Sequence, residues 1–430
     1  MRNTRVVTVF VGFAVLFVTA VSGQRLDVFV ASRNHPAISY ANLETTDRVT
    51  DLNKKLQDGR ARLTFDNASG YLRSVLDALA VPIESQVALF SQNSSQGPLI
   101  NMRNPRTLFF NDAVAVGYVR GGNVVEVAAE DPRQGVIFYS LEQKSGDRPQ
   151  FTRDDNCLAC HLSWSTLGVP GLFLVSTLTV PEDKNAYASG FTSDHRTAFS
   201  ERWGGLFVTG DLGSIRHVGN KPISTASTTE SVKPEARQLE SLDGQFDSAG
   251  YLSRYSDVVA LMVLEHQVHM TNLITRMGWE SRLATAEARG HDIPRVRQAA
   301  IDLVDYLLFV YETPLPNTVR GTSGFSEKFT AMGPMDGHGR SLRQLDLERR
   351  LMKYPCSYMS DSEAFNALPE PAKALVYEQL WQVLSGRDKD PRFSRLSAAD
   401  RQAIVEILRD TKKDLPPYFR RVAPSAPTKQ

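Results

Sequence analysis

Arg106-Thr-Leu-Phe-Phe-Asn-Asp-Ala-Val-Ala-Val-Gly-Tyr-Val-Arg-Gly-Gly-Asn-Val-Val-Glu-Val127, followed past a Pro- and Gly-bearing turn by Val136-Ile-Phe-Tyr139, is the stretch on which the fold turns. β-branched and aromatic residues recur in short runs, the composition that fits a pleated, half-buried surface. Gly121-Gly122-Asn123 supplies the backbone freedom that a tight hairpin needs. The reading is an antiparallel sheet between Arg106 and Leu141.

Outward from this sheet the pattern changes twice. Upstream, Gln24 to about Ile100 is mixed and polar, with Leu76 to Pro82 reading as a short helix stopped by proline. Downstream, a second β group runs from Gly171 to Asn220, carried by Leu172–Val180 and Leu206-Phe-Val-Thr209. A Ser/Thr/Glu/Asp-rich stretch from Thr225 to Asp247 reads as a surface linker. Beyond it come helical patterns at Asp257–Trp279, Arg295–Tyr311, Ser341–Met352, Pro371–Leu384 and Ser397–Asp410, with a Gly/Met/Pro-rich interval from Gly321 to Gly339. Ser397 with Asp400 gives the last helix a near-capping-box start. Strands first and helices afterwards define an α+β class. The expected organisation is a leader (1–23), a mixed region (24–104), a β-rich region (105–222), a linker (223–249), a helical region (250–420) and a tail (421–430).

The 430 residues carry 49 Lys and Arg against 48 Asp and Glu, a formal charge of +1, with no long basic run. Nucleic-acid binding, which needs a basic face to neutralise phosphates, is not expected. Arg2 and Arg5 followed by an apolar run from Val6 to Val18 and by Val21-Ser22-Gly23 read as an export signal cleaved near Gly23. The alternative is an uncleaved anchor, since the run extended to Val21 reaches about 16 residues. No later window is apolar enough to span a bilayer, so a periplasmic or otherwise exported chain without a stable membrane span is expected.

Two of the three cysteines sit in Cys157-Leu-Ala-Cys-His161, the C-x-x-C-H spacing of covalent haem c attachment. Two thiols three residues apart can each add to one vinyl group of the porphyrin, and the next residue's imidazole can then reach iron. This composition would produce the motif by chance in about 4 of 10,000 shuffled chains. Zinc would require further Cys or His ligands, and a thioredoxin-like thiol pair would require a βαβ setting; neither is legible. Cys356 reads as a buried thiol.

The text around the motif, with Gly168-Val-Pro-Gly-Leu172, Asp194-His-Arg196, Arg202-Trp-Gly-Gly-Leu-Phe-Val-Thr-Gly210 and Arg216-His-Val-Gly-Asn220, resembles large single-haem cytochrome c domain-containing bacterial envelope proteins from about Pro105 to Phe419. The resemblance implies haem binding and electron transfer with a redox partner protein. The chain departs from small cytochromes c, in which the motif lies near the start of a helical domain of about 100 residues.

The sixth iron ligand is sought by helical phase. At about 100° per residue from Val258, His266 falls at about 80°, central to a stripe of Met262, Leu273, Met277 and Met270, whereas Glu265 and Asn272 fall outside it. A buried imidazole needs a partner, so His266 is expected opposite His161, with His269, Met270 and the Met332/Met335 loop as alternatives. Arg196 and Arg202 are expected to hold haem propionates and Trp203 to pack on the ring. The bland alternative pairs these arginines with Asp194 and Glu201. His217 reads as a polar loop residue. The resulting expectation is an exported one-electron carrier; a haem enzyme with an open distal site and a haem-based gas-binding module are the alternatives.

Overall fold

The computed structural model describes residues 32–177, 190–221, 234–290 and 293–420. The expected leader and tail, residues 223–233 of the expected linker and the end of the Leu172–Val180 stretch lie outside the described residues.

The chain is α+β. Helices α1 (Arg48–Gln57) and α2 (Leu72–Ala78) precede a six-stranded antiparallel sheet of β1 (Val87–Leu89), β2 (Arg106–Phe110), β3 (Val114–Val119), β4 (Val124–Asp131), β5 (Gly135–Glu142) and β6 (Thr152–Arg153). Each strand pairs only with its neighbours in sequence. The alternation read from the sequence sets the register: Val125, Val127 and Ala129 of β4 face the core, with Glu126 opposite Ser140 across β5. Gly135 starts β5 at φ +91°, and a Cβ there would come within 2.6 Å of Thr275 and 2.9 Å of the Pro170 carbonyl. The turn therefore lies directly on the chain segments that cover the sheet.

After the sheet come the one-turn helix α3 (Leu158–His161) and a two-stranded pair, β7 (Leu174–Thr177) and β8 (Gly190–Ser193). Leu206–Thr209, expected as a strand, makes only single bridges, Leu206 to Leu89 and Thr209 to Asp257. A side chain takes the place of the missing strand partner: Asn220 Oδ1 accepts from Val208 N at 2.7 Å and its Nδ2 donates to Val208 O at 2.9 Å.

The remainder is built on α4 (Val258–Ala286), α5 (Pro294–Leu307), α6 (Phe325–Ala331), α7 (Glu363–Asn366), α8 (Glu370–Leu384) and α9 (Ala398–Thr411). The Ser397–Asp400 capping box forms as read. The expected helix over Ser341–Met352 does not. Asp346 Oδ1 accepts from Glu348 N and Arg349 N, Leu347 turns into the left-handed region at φ +59°, and Leu345 bridges Met352. A carboxylate that bonds the backbone two and three residues on competes with helix formation.

Helix α4 joins two cores. Most of it packs among the helices, while Trp279 and Leu283 near its end pack with the sheet, α1 and α2. It is buried on nearly all sides, so Glu265 and Asn272, outside the apolar stripe in the sequence reading, are buried as well. Each then needs a polar partner, and each has one.

Candidate functional site

Asp154 caps a 3-10 turn over Asp155–Cys157 by accepting from Asn156 N, and α3 follows at once, so the motif is wound into consecutive helical turns. Cys160 is exposed, Cys157 is half-buried, and both are free thiols. The His161 ring packs on β5, 4.7 Å from Phe138, and lies 5.1 Å from Phe173 between centroids. Its Nδ1 is 2.8 Å from the Gly171 carbonyl, and its Nε2 has no hydrogen-bond partner among the described residues. A carbonyl can only accept, so Nδ1 carries the proton and Nε2 keeps its lone pair. Burial holds the imidazole below its usual pKa, with the Gly171 bond opposing, so the ring is neutral.

The carbonyl that sets this tautomer is itself fixed from α4. Asn272 bonds Leu172 as a strand would, its Nδ2 to Leu172 O at 2.7 Å and its Oδ1 from Leu172 N at 3.1 Å. A Cβ on Gly171 would lie 2.0 Å from Asn272 Oδ1, so only glycine allows this approach. Phe138, Gly171, Phe173 and Asn272 are the residues that motif reading missed. No spacing rule connects them to Cys157, because their proximity is tertiary.

The arrangement discriminates among the chemistries a C-x-x-C pair can perform. Burial, then Asp154 and Glu126, push the Cys157 thiol up to about 11, the reverse of the depressed value that a redox-active thiol pair uses. Among the described residues no group of three or more His, Cys, Asp and Glu side chains is placed to hold a metal ion, so the donor set of a zinc site is not gathered here. A haem c requires two free thiols and one neutral imidazole with an open nitrogen. The residues present fit that group.

The distal expectations fare differently. His266 is fully buried with both nitrogens engaged: Nδ1 lies 2.8 Å from His195 Nδ1, and Nε2 lies 2.7 Å from Ser357 Oγ. Thr275, nine positions on from His266 and thus about 180° around the helix, faces the Gly135–Pro170 segment. The histidine face and the motif face of α4 are therefore opposite. Tyr306 and Phe309 stack on the two imidazoles, 4.1 Å from His195 and 4.3 Å from His266. Among the alternatives, Met270 is buried in the helical core, His269 sits 3.3 Å from Arg196 Nη2, and Met332 and Met335 are exposed.

Arg202 spends its guanidinium inside the protein, on Glu265 at 3.1 Å, the His195 carbonyl at 2.9 Å and the Thr197 carbonyl at 2.8 Å. Its carboxylate partner is Glu265, not Glu201. Arg196 pairs with Asp194, as the bland alternative had it. Trp203 is buried against Phe199 and His217. These three residues join the histidine cluster and do not contribute to the motif's surroundings. His217, expected in a polar loop, is buried, with Nδ1 accepting from Gly219 N and Nε2 on the Arg237 carbonyl. Cys356 is buried in the helical core.

Compared with known proteins, the chain matches no family model, no curated protein and no solved structure. No helix among the described residues is long and apolar enough to cross a membrane.

Proposed function

We propose that the chain is an exported c-type cytochrome that carries one covalent haem on Cys157 and Cys160, with His161 as proximal ligand, and transfers single electrons to and from a redox partner protein. The observation that supports it most is the His161 Nδ1 bond to the Gly171 carbonyl, because metal-bound histidines are oriented by a bond of this kind on the second ring nitrogen. Exposure of Cys160 supports it further, since a bulky group can reach that thiol from solvent. The haem supplies reversible one-electron chemistry at iron. The protein's part is to keep the imidazole neutral, to aim Nε2 and to hold the motif against β5.

Expression with a c-type maturation system tests this reading. One haem per chain that survives acidified-acetone extraction and denaturing electrophoresis is expected, and loss of that haem on replacing both Cys157 and Cys160 by Ala. Protein that matures without haem overturns the reading. A His266→Ala variant should keep the haem spectrum of the parent, because His266 faces away from the motif. A shifted spectrum would return His266 to the coordination sphere.

A further inference from the structure

Where α5 ends, the chain from Leu308 to Glu312 passes beside the Leu345–Met352 bridge and the turn at 391–396. Together they enclose a cavity of about 150 Å³. Four arginines line it, Arg349, Arg350, Arg392 and Arg395, with a single acidic residue, Glu312. Three of the arginines have carboxylate partners outside the lining: Arg349 on Asp346 at 2.9 Å, Arg350 on Asp400 at 2.7 Å and Arg392 on Asp390 at 2.9 Å. Arg395 differs. It donates one N–H to the Glu312 main-chain carbonyl and has no carboxylate partner among the described residues. The lining also includes the apolar residues Leu308, Phe309, Val310, Phe393 and Leu396, with the Arg392 guanidinium 4.7 Å from the Phe393 ring centroid.

Glu312 forms no salt bridge with Arg395 among the described residues. Its Oε1 accepts from Leu351 N at 2.8 Å, and it also borders a second, inner cavity of about 10 Å³ lined by His195 and Arg202. The His195 ring is buried and its Nε2 has no hydrogen-bond partner among the described residues. Ser357 Oγ accepts from Met359 N, and among the described residues its hydroxyl has only His266 Nε2 to donate to. That order of donors passes through His266 to His195 and leaves an N–H at His195 Nε2, on a ring that lines the inner cavity together with Glu312. The inner space is about that of one water molecule. Glu312 thus borders both cavities, and in the outer one Arg395 is the arginine without a carboxylate salt bridge among the described residues.

We propose that the outer cavity binds a small carboxylate with an apolar body, its carboxylate taken by Arg395 and its body seated against Phe309 and Phe393. The guanidinium fork matches a carboxylate in two parallel hydrogen bonds. A cavity of this volume accepts a benzene-sized body. The site is separate from the haem motif and does not depend on the reading given for it. Glu312 adds a signature. Burial pushes its carboxyl up to about 7 against the pull of Arg395, Arg202 and Arg350, with His195 across the inner cavity. A ligand carboxylate nearby favours the protonated form, so affinity falls as pH rises through about 7.

Calorimetric titration of the full-length protein with benzoate, benzyl alcohol and inorganic phosphate tests the proposal. Benzoate should bind at pH 6, more weakly at pH 8, and about tenfold more weakly to the Arg395→Ala variant, one charge-assisted bond being worth about that factor. Arg395 is exposed, so the variant should melt as the parent does. Glu312→Gln should keep the pH 6 affinity at pH 8. Benzyl alcohol binding as well as benzoate, phosphate binding more tightly than benzoate, or an Arg395→Ala variant with parental affinity would each overturn the proposal.

Discussion

Gly171 carries two duties that no other residue can combine. Its carbonyl sets the tautomer of His161, and its missing side chain leaves room for Asn272. Gly171→Ala should push Asn272 out of its paired bonds with Leu172, at a cost of about 1–3 kcal/mol for overpacking, read by urea unfolding. It should also broaden the NMR resonances of the His161 ring. A second group is Glu130 at the end of β4, buried, with Oε1 lacking a hydrogen-bond partner among the described residues. Burial, then repulsion from Asp112, Glu363 and Asp131, push its carboxyl up to about 8. The folded chain thus keeps a proton that the unfolded chain releases at about pH 4.3. The sign follows: this contribution to stability is fully present below about pH 4.3 and is lost as pH rises through about 8. Glu130→Gln stays neutral throughout and should be more stable than the parent at pH 9 by more than about 1 kcal/mol, one pKa unit being worth about 1.4 kcal/mol. Parallel loss of stability in both proteins between pH 6 and 9 would show that Glu130 is not the cause.

Helix α4 starts at a cap that does more than cap. Asp257 Oδ1 accepts from Val259 N and Ala260 N, and its Oδ2 accepts from Thr322 N, Ser323 N and Ser323 Oγ, all between 2.8 and 3.2 Å. An ordinary N-cap is worth about 0.5–2 kcal/mol. Asp257→Ala should exceed about 2 kcal/mol in urea unfolding, because it also frees the 321–323 loop, and Asp257→Asn should lie between it and the parent. The same helix shows what a sequence can and cannot convey. Its span and the burial of His266 follow from periodicity, which is local. The partners of His266 do not: His195 and Ser357 lie 71 and 91 residues away in the chain, and nothing in the periodicity of α4 selects them over iron. The sheet was legible because alternation and turn residues are local as well. The helix expected at Ser341–Met352 failed because apolar spacing was read without the side chain of Asp346, which turns the backbone on itself. The motif was legible to the residue, but the carbonyl that orients its histidine was not.

The β-rich and helical regions are not separable parts. Trp279 and Leu283 of α4, with Tyr40 and Val49 from upstream, complete the core beneath the sheet. Residues 105–222 expressed alone should therefore lack a closed core and show neither near-UV dichroism nor dispersed amide resonances, whereas residues 32–420 should show both. A fragment that folds independently would divide the molecule at the sheet.

The Asn272 clamp on Leu172 also sets an order of events in time. A chain that emerges amino end first presents Cys157 and Cys160 early, but the residue that fixes the loop behind His161 lies 100 positions beyond Leu172. Until that length has emerged, the Gly171–Leu172 peptide lacks its Asn272 bonds and is held by nearer contacts, Gly171 N on the His161 carbonyl and Val136 N on the Pro170 carbonyl. The thiols are thus presented before the last support behind His161 arrives, so a bulky group joined to them early meets a chain whose α4 has still to close over that loop.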